Sequence, residues 1–149
     1  MGTSNSNVLD VQSVISLAGA NPLSIQNGTF KLSSNSTITP FTTGAGANIP
    51  ATGGFWVNGG AVNAGGFSWS LSGLLRVSNG SLGIGTGSGN SLNYFTGSII
   101  TIEGGALNIA GRLARDVGAA GNTTTYSQTG GTVTVVTSGS TSSTRAGGL

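Results

Sequence analysis

Residues 100–109 read ITIEGGALNI and residues 126–135 read YSQTGGTVTV. In each, with one exception, apolar or aromatic residues stand five and three places before a central glycine and two and four places after it. Alternation with a period of two marks a strand with one buried face. The parity flips across the Gly-Gly pair, so two short strands meet there at a turn or corner. The pattern recurs upstream as LSIQNGTFKL (23–32), FWVNGGAVNA (55–64) and LRVSNGSLGI (75–84), with anchors at Gly28, Gly60, Gly80, Gly105 and Gly131. Nineteen of the twenty alternating places are apolar or aromatic, Gln128 being the exception, whereas a chain with 36% apolar residues would fill about seven by chance. It is therefore an internal repeat.

Two architectures fit such a repeat. The pairs Asn27-Gly28, Gly59-Gly60, Asn79-Gly80, Gly104-Gly105 and Gly130-Gly131 each begin with a residue type that tolerates positive φ. They suit type I′ hairpins of a sandwich or barrel. They equally suit corners where the chain bends and runs on as a parallel β-helix. Spacing favours the second. The step from one anchor to the next, longest between Gly28 and Gly60, stays near the size of one coil of a three-faced solenoid, and hairpins require no such period. The intervals also hold further strand-like pieces, FSWSL, SLNYF and GRLARDV.

The expected fold is thus an all-β, single-stranded parallel β-helix of about five coils, with equivalent residues stacked about 4.8 Å apart. Four columns are expected: Leu23, Phe55, Leu75, Ile100 and Tyr126; Ile25, Val57, Val77, Ile102 and Gln128; Phe30, Val62, Leu82, Leu107 and Val133; and Leu32, Ala64, Ile84, Ile109 and Val135. The whole chain, 1–149, reads as one β-helix segment. Residues 55–149 give regular coils, and 1–54 an irregular N-terminal coil with a long insertion, SSNSTITPFTTGAGANIPATGG (33–54), expected to act as a cover or binding loop. The absence of a basic n-region and apolar h-region at the start, with the unclosed ending STSSTRAGGL, reads as a fragment of a longer array.

Composition narrows the partners. Charged residues are 5% of the chain, with five basic against three acidic, and the formal net charge is +2. So dilute a field does not point to nucleic acid. No apolar run approaches the roughly 20 residues of a membrane-spanning helix, so membrane insertion is not expected. Without cysteine there is neither disulfide nor thiolate chemistry.

The stretch from Ser98 to Thr144, SIITIEGGALNIAGRLARDVGAAGNTTTYSQTGGTVTVVTSGSTSST, resembles the Gly-Gly-Thr-Val-Thr-Val repeats of large secreted and surface-anchored bacterial β-helix proteins, the autotransporter-passenger and adhesin-like group. The likeness extends over residues 55–149, and reaches 1–54 only through LSIQNGTFKL. It implies a right-handed coil, an extracellular or cell-surface setting, and a structural or adhesive role. It implies no particular ligand, since the same coil carries adhesins, polysaccharide-degrading enzymes and phage tailspikes. The chain departs from complete members in showing no export signal, outer-membrane barrel or sorting domain.

No catalytic site is expected. There is no His or Cys to build a nucleophile and base pair. The three carboxylates, Asp10, Glu103 and Asp116, fall in different repeats, with Asp116 near enough to Arg115 for a local ion pair. Glycoside cleavage needs two carboxyl groups about 5 to 10 Å apart. Neither the clustered acidic calcium ligands of the lyases on this fold nor a Gly-Gly-x-Gly-x-Asp repeat is present, so no metal and no cofactor is expected. GIGTGSG (83–89) lacks the spacing and the following helix of a phosphate-binding loop and reads as a connection between faces. Asn27, Asn35, Asn79 and Asn122 match the Asn-x-Ser/Thr acceptor pattern, which a chain this rich in Asn and Thr produces by coincidence.

The remaining candidates are surface contacts. Trp56, between inward Phe55 and Val57, turns outward, where an indole can stack on a sugar ring of a cell-surface or matrix glycan. Tyr94 beside Phe95 is a second candidate, because one of the two must face water, while Trp69 shares parity with Phe67 and Leu71 and belongs to the core. A threonine ladder for ice is not expected, since only Thr132/Thr134 among the outward pairs is Thr-x-Thr. A Lys-Asn crosslink would have to use Lys31, the sole lysine. Exposed strand edges at the two ends of a rod make end-to-end homo-association a further expectation.

Overall fold

The computed structural model describes residues 6–63, 65–116 and 121–136, and within them the chain is a β-solenoid of about five turns. Thirteen strands line three faces. The first face stacks β1 (Val8–Val11), β2 (Gly28–Leu32), the first half of β5 (Gly53–Asn63), the first half of β7 (Leu74–Ile84), β9 (Ser98–Ile102) and β12 (Thr124–Gln128). The second stacks β3 (Thr37–Ile38), the later halves of β5 and β7, β10 (Ala106–Ile109) and β13 (Thr132–Val135). The third is a separate four-stranded sheet of β4 (Asn48–Ile49), β6 (Trp69–Leu71), β8 (Leu92–Tyr94) and β11 (Leu113–Arg115). Every pairing among these strands is parallel, each strand lying on its counterpart one coil away. The glycine pairs are corners, not hairpins.

Like lies on like through most of the rod. Phe55, Leu75, Ile100 and Tyr126 form one registered column, and Val57, Val77, Ile102 and Gln128 a second. Val62, Leu82, Leu107 and Val133 form a third, while Ile84, Ile109 and Val135 continue the fourth; Ala64 of that column lies outside the described residues. The middle members are fully buried, which is worth about 1.5 to 3 kcal/mol for each large aliphatic side chain. Toward the C-terminal end the column thins: Gln128 is exposed and Val135 is 40% exposed. The one residue that breaks the apolar rule therefore stands where little is buried. Its amide accepts from the Tyr126 hydroxyl at 2.6 Å and donates to the Gly131 carbonyl at 3.3 Å.

The first copy of the repeat sits half a motif away from its expected place. Gly28 pairs with Gly53, Phe30 with Phe55 and Leu32 with Val57, so Phe30 and Leu32 belong to the first two columns. Leu23 and Ile25 occupy neither. Leu9 and Val11 precede Phe30 and Leu32 in the same columns. Measured along the first column, the coils from Leu9 to Phe30 and from Phe55 to Leu75 are short. Those from Phe30 to Phe55, from Leu75 to Ile100 and from Ile100 to Tyr126 are longer. With the first copy placed correctly, the long step between Gly28 and Gly60 disappears.

The supposed insertion at 33–54 is instead an ordinary coil. Thr37 and Ile38 pair with Ala61 and Val62, Asn48 and Ile49 pair with Ser70 and Leu71, and Phe41 is fully buried against Phe55 and Trp69. Such short strands cannot show alternation, which is why the segment looks irregular in sequence. Trp69 is fully buried as expected, meeting Phe41 and Phe55 edge-on with centroids 4.9 and 5.5 Å apart.

At the corner between the first two faces, positive φ falls on the second residue of each pair: Gly60 (63°), Gly80 (79°), Gly105 (67°) and Gly131 (69°). The first residues, Asn79 among them, do not adopt it; among the described residues Asn21 is the non-glycine with positive φ. These glycines also stack. A Cβ on Gly80 would lie 2.5 Å from the Gly60 carbonyl oxygen, and one on Gly105 only 2.4 Å from that of Gly80. Dihedral and clearance both demand glycine there. Gly28 shares the positive φ, at 77°, but it opens the first face instead of ending it.

Candidate functional site

On the outside of the first face, the register sets Lys31 beside Trp56 and Trp56 beside Arg76. Asp10 faces Lys31 in the coil before, and Glu103 lies on the coil after Arg76. Residues far apart in sequence thus form one stripe across five consecutive coils, in the order acid, base, indole, base, acid. The Lys31 ammonium is 3.0 Å from Asp10 Oδ2. It lies 4.3 Å from the centroid of the Trp56 ring, and the Arg76 guanidinium carbon lies 3.9 Å from that centroid, from the strand on the other side. Arg76 then reaches Glu103 in bidentate fashion, Nε to Oε2 at 3.0 Å and Nη2 to Oε1 at 2.8 Å.

Hydroxyls complete the stripe. Trp56 Nε1 donates to Ser78 Oγ at 2.8 Å, and Ser78 Oγ donates to Glu103 Oε2 at 2.6 Å. The Ser78 hydroxyl, with the Arg76 guanidinium, holds the Glu103 carboxyl below its usual range against a smaller opposing effect of burial. The Ser33 hydroxyl, with Gln12 and Lys31, does the same for Asp10, again against burial. Both acids stay ionised and both bases are engaged.

This arrangement bears on the glycan candidates. Trp56 does face outward, half-buried, but cations from the neighbouring coils already lie over its ring, so a sugar would have to displace Lys31 or Arg76 to stack there. Tyr94 lies on the third face, between Leu71 and Arg115, half-buried and packed against the core. The two aromatic candidates are therefore not brought together. Phe95, its neighbour, is also half-buried. Sequence reading found the outward tryptophan but missed its partners, Lys31 and Arg76, which stand a full coil before it and a full coil after it in the ladder.

The other candidates resolve as framework. In GIGTGSG the amides of Thr86 and Gly87 both donate to Asn90 Oδ1 at 3.0 Å, so the loop closes on a side chain of its own. Gly85 there has φ of 76°. Among the described residues the ion pairs are Lys31–Asp10 and Arg76–Glu103, so the expected Arg115–Asp116 pair does not form. Asp10, Glu103 and Asp116 remain on separate coils. On the second face the outward columns are Thr37, Ala61, Ser81, Ala106 and Thr132, and Asn63, Gly83, Asn108 and Thr134, a small neutral surface in which Thr29 and Lys31 take no part. The turn glycines Gly60, Gly80, Gly105 and Gly131 hold the corner, and Gly28 the start of the first face.

No protein-family model, curated protein or solved structure matches the chain.

Proposed function

We propose that the chain is a non-enzymatic rod segment of an extracellular bacterial surface protein, serving as a stiff shaft or adhesive surface. The observation that carries this reading is the polar stripe from Asp10 to Glu103, which lies directly outside continuous buried columns. Backbone ladders, packed side chains and charge pairs then all join the same neighbouring coils. In a solenoid each coil touches only its neighbours, so cross-coil interactions of this kind set its resistance to bending and pulling. The likeness of residues 98–144 to surface β-helix repeats supports the extracellular setting.

Single-molecule pulling between the two ends tests it. A shaft unfolds at high force in steps of whole coils, and Arg76→Ala lowers the force at the stripe. Smooth extension at low force, like that of a disordered chain, refutes the proposal. Turnover of a polysaccharide by the isolated chain refutes its non-enzymatic part.

A second reading, end-to-end self-association, is favoured by exposed apolar residues in the first and last described coils. Val8 and Leu9 of β1 are 47% and 65% exposed, and Val135 and Val136 are 40% and 70% exposed. A cleft of about 360 Å³ at the β1 end is lined by Leu9, Leu23, Ile25 and Phe30. Sedimentation over a wide concentration range tests this, and a strict monomer throughout rules it out. A third reading, glycan binding, would have the sugar displace a cation from Trp56. A glycan array with Trp56→Ala as control tests it, and binding indifferent to that change removes Trp56 from the reading.

A further inference from the structure

We infer that Asn79 is a site of spontaneous succinimide formation, with the Gly80 backbone nitrogen as nucleophile and water as co-reactant. The Gly80 N–H donates to Oδ1 of Asn79 at 2.8 Å, so the side chain is folded back over its own following peptide bond. That places the carboxamide carbon beside the nitrogen that attacks it. Asn79 is exposed, and Gly80 carries no side chain to shield the nitrogen. Gly80 also falls in a gap of the ladder: the pairing runs Asn58 with Asn79 and then Ala61 with Ser81, resuming on the other side at Ser81 with Ala106.

The chain contains its own control. Asn27-Gly28 is the same dipeptide, yet Gly28 is buried, is paired with Gly53, and donates its N–H to the Thr52 carbonyl at 3.0 Å. Its nitrogen is held by a backbone carbonyl of the framework, while that of Gly80 donates to the side chain it would attack.

The step balances without any redox partner. Hydroxide removes the Gly80 amide proton, the N–Cγ bond forms, and the Cγ–Nδ2 bond breaks as ammonia leaves with a proton from water. Water then opens the ring at either carbonyl, giving aspartate or isoaspartate. Isoaspartate lengthens the main chain by one carbon at a corner with no room for it, since even a Cβ on Gly80 would meet the Gly60 carbonyl oxygen at 2.5 Å. Conversion therefore opens the corner of the coil that carries Arg76 and Ser78.

Peptide mapping by mass spectrometry, on folded protein aged in warm, mildly alkaline buffer and on the same chain aged in guanidinium, tests this. In the unfolded chain the three Asn-Gly pairs, at Asn27, Asn58 and Asn79, convert at comparable rates, which calibrates the measurement. In the folded chain Asn79 converts on the order of tenfold faster than Asn27, the factor expected when one nitrogen must first break a framework hydrogen bond. Asn79→Gln, whose side chain closes a less favourable ring, removes the product at this corner while keeping the fold. Equal rates at the two sites in the folded chain, a faster Asn27, or no conversion at Asn79 while the unfolded chain converts would each overturn the inference.

Discussion

The Arg76 guanidinium carbon lies 3.9 Å from the centroid of the Trp56 ring, while the same group makes two hydrogen bonds to Glu103. One side chain thereby joins three successive coils. A surface cation–π contact contributes about 0.5 to 1 kcal/mol, and an exposed ion pair about 0.2 to 1 kcal/mol. Arg76→Ala is expected to cost about 1 to 2 kcal/mol in urea unfolding. Arg76→Lys recovers only part of that, because a lysine cannot bind the carboxylate in bidentate fashion. A double-mutant cycle with Trp56→Ala isolates the ring contact, and a coupling near zero would show that the stacking contributes nothing.

Acid should loosen the same stripe. Glu103 and Asp10 are held below the usual carboxylate range in the folded chain, so their contribution is fully present above the carboxyl pKa of the unfolded chain. It is lost as pH falls through the lower, folded value. Thermal unfolding followed from neutral pH to strongly acid pH should show a falling midpoint over that window. The Glu103→Gln variant, less stable than the parent at neutral pH, should converge with it in acid. Parallel curves at every pH would contradict this.

The corner glycines give a paired test. Gly105→Ala places a Cβ 2.4 Å from the Gly80 carbonyl oxygen at a φ of 67°, and the combined strain and clash should cost about 3 kcal/mol or more. Gly83 is in the same sheet, but its Cβ would meet nothing nearer than 3.7 Å and its φ is not in the left-handed region. Gly83→Ala should be neutral or stabilise by up to about 1 kcal/mol through the unfolded chain. Equal losses at the two sites would show that stacking is not what requires glycine.

Core truncation should grade along the rod. Leu107 is fully buried between Leu82 and Val133, and Leu107→Ala is expected to cost about 2 to 5 kcal/mol. Val135, 40% exposed in the last described coil, should lose less than about 1 kcal/mol on change to Ala. Chemical denaturation of the two variants checks the gradient.

From Phe55 onward the columns were readable in the sequence, because a buried face forces alternation and the stacked corner forces glycine. The same degeneracy misplaced the first copy. Leu23 to Leu32 carries apolar residues on both sides of Asn27-Gly28, and any two consecutive strands around any corner produce that spacing. Nothing local distinguishes the glycine that opens a face from the one that ends it, and Gly28 even shares the positive φ. Segment 33–54 hid its strands because pieces as short as Thr37–Ile38 and Asn48–Ile49 have no period to detect. The stripe around Trp56 was hidden for another reason: Asp10, Lys31, Arg76 and Glu103 become neighbours only through the inter-coil register.

Coil length is not constant, being shorter from Phe55 to Leu75 than from Leu75 to Ile100. Yet from Val57 onward the corner between the first two faces keeps one length, from Val57 to Val62, from Val77 to Leu82 and from Ile102 to Leu107, while the coil before, from Leu32 to Ile38, is one residue longer. Much of the variation gathers at the next bend, where the connection from Val62 to Trp69 is short and that from Leu82 to Leu92 is longer, passing through the loop closed by Asn90. From Val57 onward one edge of the prism is thus fixed in length while another absorbs spare chain without disturbing the tiers on either side. Foreign peptides grafted at Thr86–Gly89 would project from a single known tier, which makes that edge a natural place for display.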